Sequence, residues 1–223
     1  MLLHRAAVLF VLLGALLLSG RGPAADQTEL KIEDLERAPF PSHLVAAPAR
    51  GRIAWVFNDR GVRNIWIAES PDYKGKQVTS HTTDDGQEIT GLAWAPDGGA
   101  LVYVKGNDAH NGRHINPRSK PKPPPQIVCA LLLDGMKARE VQLGEGHSPA
   151  PSGSNRVAFI HKGQIWSAPL DGSSKSELLI DAPGDCSQLR WSPQGAEADL
   201  AFVNKRGEHS FVGVYHSANQ SIR

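Results

Sequence analysis

Two histidines stand four positions apart, His110 and His114, with Asp108 just before the first. On a helix that spacing would set both imidazoles on one face, where they could hold a metal ion. Asn111-Gly112 between them is a turn sequence instead, so the pair is expected on a solvated loop without a metal. Arg113 and Arg118, with Lys120 and Lys122, make the same stretch cationic. It reads either as a solvated charge run or as a contact for a neighbouring domain or an anionic peptide end. His110, Arg113, His114 and Arg118 are therefore the candidate interface or substrate contacts. No catalytic residue, cofactor-binding residue or cofactor is assigned. The glycine-bracketed serine turn G-x-S-x-G of α/β-hydrolases occurs nowhere in the chain, and neither does a glycine-rich phosphate loop. Glu140 and Glu145 stand apart and form no carboxylate pair. Cys129 and Cys186 lack metal-ligand spacing and are read as two separately buried thiols.

The elements that must position these residues repeat along the chain. Leu92-Ala93-Trp94-Ala95-Pro96-Asp97-Gly98, followed by Leu101-Val102-Tyr103-Val104, is an apolar strand, a turn and a second apolar strand. Pro96 presets φ, Asp97 can accept from the backbone beyond it, and Gly98 tolerates positive φ. Close copies stand at Leu189-Arg190-Trp191-Ser192-Pro193-Gln194-Gly195 and at Ala150-Pro151-Ser152-Gly153, with a looser one at Ala47-Pro48-Ala49-Arg50-Gly51. The turn prolines Pro48, Pro96, Pro151 and Pro193 are separated by 48, 55 and 42 residues. A second motif follows in the same order: Asn64-Ile65-Trp66-Ile67-Ala68, Gln126-Ile127-Val128-Cys129-Ala130 and Gln164-Ile165-Trp166-Ser167-Ala168. This period is that of propeller blades, roughly 40 to 50 residues each.

The expected fold is all-β: a partial propeller of about four blades, each a four-stranded antiparallel sheet. The blades are placed at about 44–90, 91–147, 148–187 and 188–223, with a Pro-rich insertion at 106–126 in the second. Pro117 and Pro121-Lys122-Pro123-Pro124-Pro125 exclude helix and interior strand there, and an extended surface arm is expected. The fourth unit reaches Tyr215 with no outer strand visible in the sequence. Trp66, Trp94, Trp166 and Trp191 are read as structural repeat residues, large faces that blades bury against one another.

At 223 residues, 40% hydrophobic and 21% charged, the composition is that of an ordinary globular chain. A net charge of +1 gives no argument for a nucleic-acid partner. Residues 1–25 read as a signal peptide: a short basic start at His4-Arg5, then an apolar run from Ala6 to Leu18 that is too short to span a bilayer. An exported chain, periplasmic or secreted and without stable membrane insertion, is expected. Residues 26–43 read as a polar, mildly helical lead-in to a propeller at 44–223.

The recurring W-x-P-D/Q-G turn with its apolar strands resembles propeller repeats of the TolB type. The string Phe57-Asn58-Asp59-Arg60-Gly61-Val62-Arg63-Asn64-Ile65-Trp66-Ile67-Ala68, followed by the Leu92–Gly98 turn, is similar to the N-terminal propeller of exported bacterial serine peptidases of the prolyl oligopeptidase family. That resemblance covers roughly Leu44 to the C-terminus and implies a seven- or eight-bladed ring capping an α/β-hydrolase domain. The hydrolase part carries the catalytic Ser, Asp and His, and nothing in this chain matches it. The implied role is substrate gating and docking for peptides, with that domain as partner. The alternative is a periplasmic scaffold that binds a protein partner. A third class, a carbohydrate-active or lyase propeller, would need acidic pairs along the axis, and no such pairs recur.

Overall fold

The computed structural model describes residues 39–106, 109–110, 113–114, 124–193 and 198–223 together with Ile32; for 109–110 and 113–114 it describes the backbone. The signal peptide, most of the lead-in and the Pro-rich arm from 115 to 123 lie outside these residues. The strands fall within one compact unit, Arg37–Arg223.

Four antiparallel sheets follow one another along the chain. The first joins β1 (Phe40–Ala46), β2 (Arg52–Asp59), β3 (Val62–Glu69) and β4 (Lys76–Gln77). In the second, β5 (Ile89–Trp94) and β6 (Ala100–Lys105) are separated in sequence from β9 (Ile127–Asp134) and β10 (Lys137–Glu145) by a small hairpin of β7 (Ala109–His110) and β8 (Arg113–His114). The third holds β11 (His147–Pro151), β12 (Arg156–His161), β13 (Gln164–Pro169) and β14 (Glu177–Ile180). The fourth holds β15 (Asp185–Trp191), β16 (Leu200–Arg206), β17 (His209–His216) and β18 (Ser221–Ile222). Each sheet pairs its strands in chain order, and the first strands β1, β5, β11 and β15 neighbour one another from sheet to sheet. This is an open, partial β-propeller of four blades, with the first strand of each blade nearest the axis.

Local sequence accounts for the hairpins. Arg60-Gly61 and Lys162-Gly163 both take positive φ at both residues, the two-residue turn whose twist suits antiparallel strands. In the Pro96 turn, Gly98 has φ of 68° and Asp97 Oδ1 accepts the Gly99 N–H at 2.9 Å, as the turn sequence requires.

Three differences from the sequence reading concern where units begin and end. The first blade begins at Phe40, inside the stretch read as lead-in; Pro41 disguised the strand, but an edge strand tolerates proline. The fourth blade does have an outer strand, Ser221–Ile222, too short to register as a pattern. The third unit was aligned two positions off. Ala47, Ala95, Ser152 and Ser192 make the same turn-closing bond to the start of the second strand. Pro151 therefore occupies the place of Trp94 and Trp191, not that of Pro96.

The blades bury their faces on one another in three apolar clusters. In blades 2, 3 and 4 the face toward the preceding blade, the front, carries a large ring on the second strand: Tyr103, Phe159 and Phe202. The opposite face, the back, is small and aliphatic: Ala54, Val56, Ile65 and Ile67 in blade 1, and Val102, Val104, Val128 and Ala130 in blade 2. Rings therefore pack into surfaces of branched methyls, with the aromatic contribution supplied from one side. Phe202 lies against the backbone of its own third strand at Gly213, where a Cβ would collide with the ring. Replacing Gly213 with valine is expected to lower the melting temperature of the chain; an unchanged melt would contradict this packing.

Candidate functional site

Each axial strand carries a register shift at the same place. The shifts lie between Ser42 and Val45, Thr90 and Ala93, His147 and Ala150, and Ser187 and Arg190. The first residue inside each shift has positive φ: His43 at 56°, Gly91 at 62°, Ser148 at 53° and Gln188 at 54°. All four are exposed. A bulge leaves backbone groups out of the ladder and re-aims the strand, so the axial edge presents isolated donors and acceptors rather than a continuous template. Ser42-His43, Thr90-Gly91, His147-Ser148 and Ser187-Gln188 thus give the axis a polar edge with no carboxylate and no Lys or Arg. His43 Nδ1 lies 3.0 Å from Ser42 Oγ, and His147 Nδ1 lies 3.0 Å from Ser148 Oγ.

Trp94 and Trp191 hold these edges together. Each ends an axial strand, and its indole N–H donates to the preceding blade's axial strand. Trp94 Nε1 reaches the Val45 carbonyl at 3.3 Å and Trp191 Nε1 the Ala150 carbonyl at 2.8 Å. Trp66 and Trp166 are placed differently, on the front faces of third strands. Trp166 packs partly buried between blades 2 and 3, while Trp66 lies on the front of blade 1. Cys129 and Cys186 are separate buried thiols.

Across the end of blade 2, bounded by the connection from blade 1 and reaching the outer strand β10, is a pocket of about 570 Å³ into which charged groups converge. Both ends of the insertion, Gly106 and Pro124-Pro125, line it, together with His81, Asp85, Lys105 and Glu140. Tyr103, reaching from the core, donates its hydroxyl to Glu140 Oε1 at 2.6 Å. Burial, then the neighbouring thiol and Glu140, raise the Tyr103 pKa. Burial and the Glu140 carboxylate push the Cys129 thiol up to about 12, so it stays protonated. Lys105 Nζ lies 3.4 Å from Asp85 Oδ2 and 3.4 Å from His81 Nδ1. Burial works against the Asp85 carboxylate, but the Gln87 N–H and Lys105 outweigh it and hold its pKa below the usual value. An ammonium only donates, so His81 Nδ1 accepts and the neutral ring carries its proton on Nε2. That nitrogen is buried without a hydrogen-bond partner among the described residues.

Two partly buried histidines, His81 in this pocket and His147 on its axial strand, make the chain sensitive to mild acid. Burial and then Lys105 lower the pKa of His81 below 6.5, and burial and then His161 do the same for His147. Below 6.5 the unfolded chain gains protons that the folded chain refuses until its lower values are reached. Stability is therefore full above 6.5 and is lost as pH falls through the folded values. The urea midpoint is expected to be lower at about pH 5.5 than at about pH 7.5, and the difference to shrink in His81→Gln. A midpoint that rises on acidification would contradict this.

Of the contacts chosen from sequence, His110, Arg113 and His114 lie on the β7–β8 hairpin, where His110 pairs with Arg113 and Ala109 with His114. Arg118 lies outside the described residues. Among the described residues no group of three or more His, Cys, Asp or Glu is assembled that could hold a metal. Sequence reading missed the axial bulges and the Tyr103–Glu140 pair. The bulges fall at a fixed place, each three residues before Ala46, Trp94, Pro151 or Trp191, but four different residue types occupy it and the place shows only once the strands are paired. Glu140 has no signal, because its partner is 37 residues away and on another strand.

The fold and this axial edge define the class as a β-propeller. No family profile matches the chain, and no curated protein does either. Solved structures do match in fold. A prolyl endopeptidase structure is 13% identical with a TM-score of 0.58, over 84% of this chain and 29% of that one. TolB from Acinetobacter baumannii is 14% identical with a TM-score of 0.53, over 83% and 43%. An oligogalacturonate lyase solved with manganese is 18% identical with a TM-score of 0.53, over 81% and 51%. The chain thus spans about half or less of each of these proteins. At these identities the likeness is one of fold: the chain is similar to the propellers of these structures in its blade architecture. Among the described residues no helix is long and apolar enough to cross a membrane.

Proposed function

We propose that this chain is the substrate-gating and docking propeller of an exported serine peptidase that acts on peptides, and that it is not catalytic by itself. The observation that carries this reading is the axial edge, with four bulged strands side by side. A peptide backbone needs donors and acceptors in alternation. Strand edges interrupted at equivalent bulges offer both, but no uninterrupted ladder to hold the peptide fast. A chain can then pass along the axis with brief hydrogen bonding. The eight axial residues around the bulges contain no carboxylate, which sets this edge apart from the acidic axis a sugar-cleaving propeller would need. The signal-peptide pattern supports export. The sequence resemblance supports a separate α/β-hydrolase domain as the catalytic partner.

A fluorophosphonate probe tests this, because it reacts with serines activated by a neighbouring base. The chain alone is expected to remain unlabelled. The polypeptide made from the uninterrupted reading frame that contains this chain is expected to be labelled on a serine outside 44–223. An unlabelled full-length polypeptide built of further blades would support the scaffold reading instead, and a label within 44–223 would overturn both.

A further inference from the structure

We infer that His81 is an acid-sensitive latch: its neutral ring pins the connection between blades 1 and 2 to blade 2, and protonation frees residues 82–87 while the sheets stay folded. The start of the connection is held by blade 1. Asn64 of β3, itself buried, donates Nδ2 to the His81 carbonyl at 2.9 Å and accepts the His81 N–H at 2.8 Å. Gln164 grips the connection from blade 3 to blade 4 in the same way, accepting the Ala182 N–H at 2.8 Å and donating to the Gly184 carbonyl at 2.9 Å. Asn64 and Gln164 open the same repeat motif, so Ala182 stands where His81 does. The histidine is therefore an addition to a clamp that works without one.

Beyond His81 the segment is pinned by Lys105 of β6, whose ammonium lies 3.4 Å from both His81 Nδ1 and Asp85 Oδ2. The N–H groups of Gly86 and Gln87 go to the segment's own carboxylates, Asp84 and Asp85, and Glu88 then accepts the Gly106 N–H of blade 2 at 3.1 Å. Among the described residues, the charged groups facing the ring come from both blades. They are Lys105, Asp85, Glu140 of β10, and Asp59 with Arg60 at the β2–β3 turn, which share a hollow with the ring and pair with each other at 3.2 Å. The Cys129 thiol and the Tyr103 hydroxyl behind Glu140 stay protonated. Burial and then Lys105 disfavour an imidazolium more than Glu140 and Asp85 favour it. A proton on Nδ1 would set an N–H against an ammonium, on a ring whose Nε2 is buried. The ring takes that proton by leaving Lys105, which removes one of the two contacts that Lys105 makes with the connection. Below 6.5 the open form binds a proton that the closed form refuses, so acid favours opening by up to about tenfold for each pH unit. The latch uses residues of blades 1 and 2 and does not depend on the peptidase reading.

Hydrogen exchange of single amides, followed by NMR on the full chain and expressed as protection relative to an unstructured peptide, tests it. The probe is the N–H of Gln87, a residue buried in the closed form. Its protection is expected to fall about tenfold between about pH 7.5 and about pH 5.5, while that of Ala182, in the equivalent clamp without a histidine, changes little. His81→Gln is expected to stay folded by circular dichroism and to lose the acid dependence. Lys105→Met removes the pin itself and keeps its stem. It is expected to show low protection at Gln87 at both pH values, so it reads the latch even where glutamine cannot take the place of the ring. Equal protection of Gln87 at both pH values overturns the inference, since the ring would then take its proton without moving the connection. So do a loss of the same size at Ala182, an acid-dependent loss that survives in His81→Gln, and a Lys105→Met chain as well protected as the wild type.

Discussion

Phe159→Ala is expected to destabilise the chain by about 3 to 5 kcal/mol, a large part of the total stability of a domain this size. The ring is fully buried between blades 2 and 3, among Val102, Val104, Val128 and Ala130 of one blade and Val157 and Ala168 of its own. It also lies against the backbone at Gly144 and Gly146, where a Cβ would approach it to 3.1 and 2.6 Å. Those contacts are with main chain, which cannot collapse into the space the ring vacates, so most of the cavity should persist. Trp55→Ala removes a larger side chain from the equivalent position but from a face that no blade covers among the described residues. It is expected to cost less than half as much. Urea unfolding followed by circular dichroism compares the two. Equal costs would mean that the blade before Phe159 contributes nothing to its burial.

How much of this was legible in the sequence depends on the range of the interaction. The turn at Pro96-Asp97-Gly98 is local, and its proline, carboxylate and glycine each have a separate job, so strands on either side of it could be placed from residue types alone. Trp94 and Trp191 were visible for the same reason, standing at a fixed place before their turns. The outer strand Lys137–Glu145 was not, because Lys-Ala-Arg-Glu-Val-Gln-Leu offers one β-branched residue and a largely polar face. The axial bulges were hidden too. A register shift is a relation between two strands, and nothing in Thr90-Gly91-Leu92 or Ser187-Gln188-Leu189 says which residue will lack a partner. Pro151 misled the alignment of the third unit by imitating a turn proline while ending an edge strand. His110, Arg113, His114 and Arg118 stand close together in one charged stretch and could be picked out by residue type, whereas His81, Asp85, Lys105 and Glu140, which converge on one pocket, come from three separate segments.

The second large effect concerns the join between blades 1 and 2. Arg52 is 5% exposed and donates Nε to Glu69 Oε1 at 3.1 Å and Nη1 to the Gly98 carbonyl, in the turn of the next blade, at 3.0 Å. Removing the carboxylate leaves a buried guanidinium with the carbonyl alone, so Glu69→Ala is expected to cost about 3 kcal/mol. Arg52→Met removes the charge itself, keeps much of the stem's packing and leaves Glu69 with access to water. It is expected to cost about 1 kcal/mol, mainly the lost bond to Gly98. The double variant should resemble Arg52→Met alone, because the residue that made Glu69→Ala costly is gone. Chemical denaturation of the three variants checks this. If Arg52→Met proved as costly as Glu69→Ala, or the double variant the sum of both, the guanidinium would not be the buried, carboxylate-dependent link between blades described here.

All of these expectations rest on neighbouring sheets lying face to face about a common axis, with rings from one seated on methyls of the one before. Methyl-to-aromatic nuclear Overhauser contacts measure that arrangement directly. The account predicts cross-peaks from the Tyr103 ring to Val56 and Ile65, from the Phe159 ring to Val102, Val104 and Val128, and from the Phe202 ring to Ala158, Ile160 and Ile165. Rings that show contacts only to methyls of their own sheet, or to those of the following one, would contradict it.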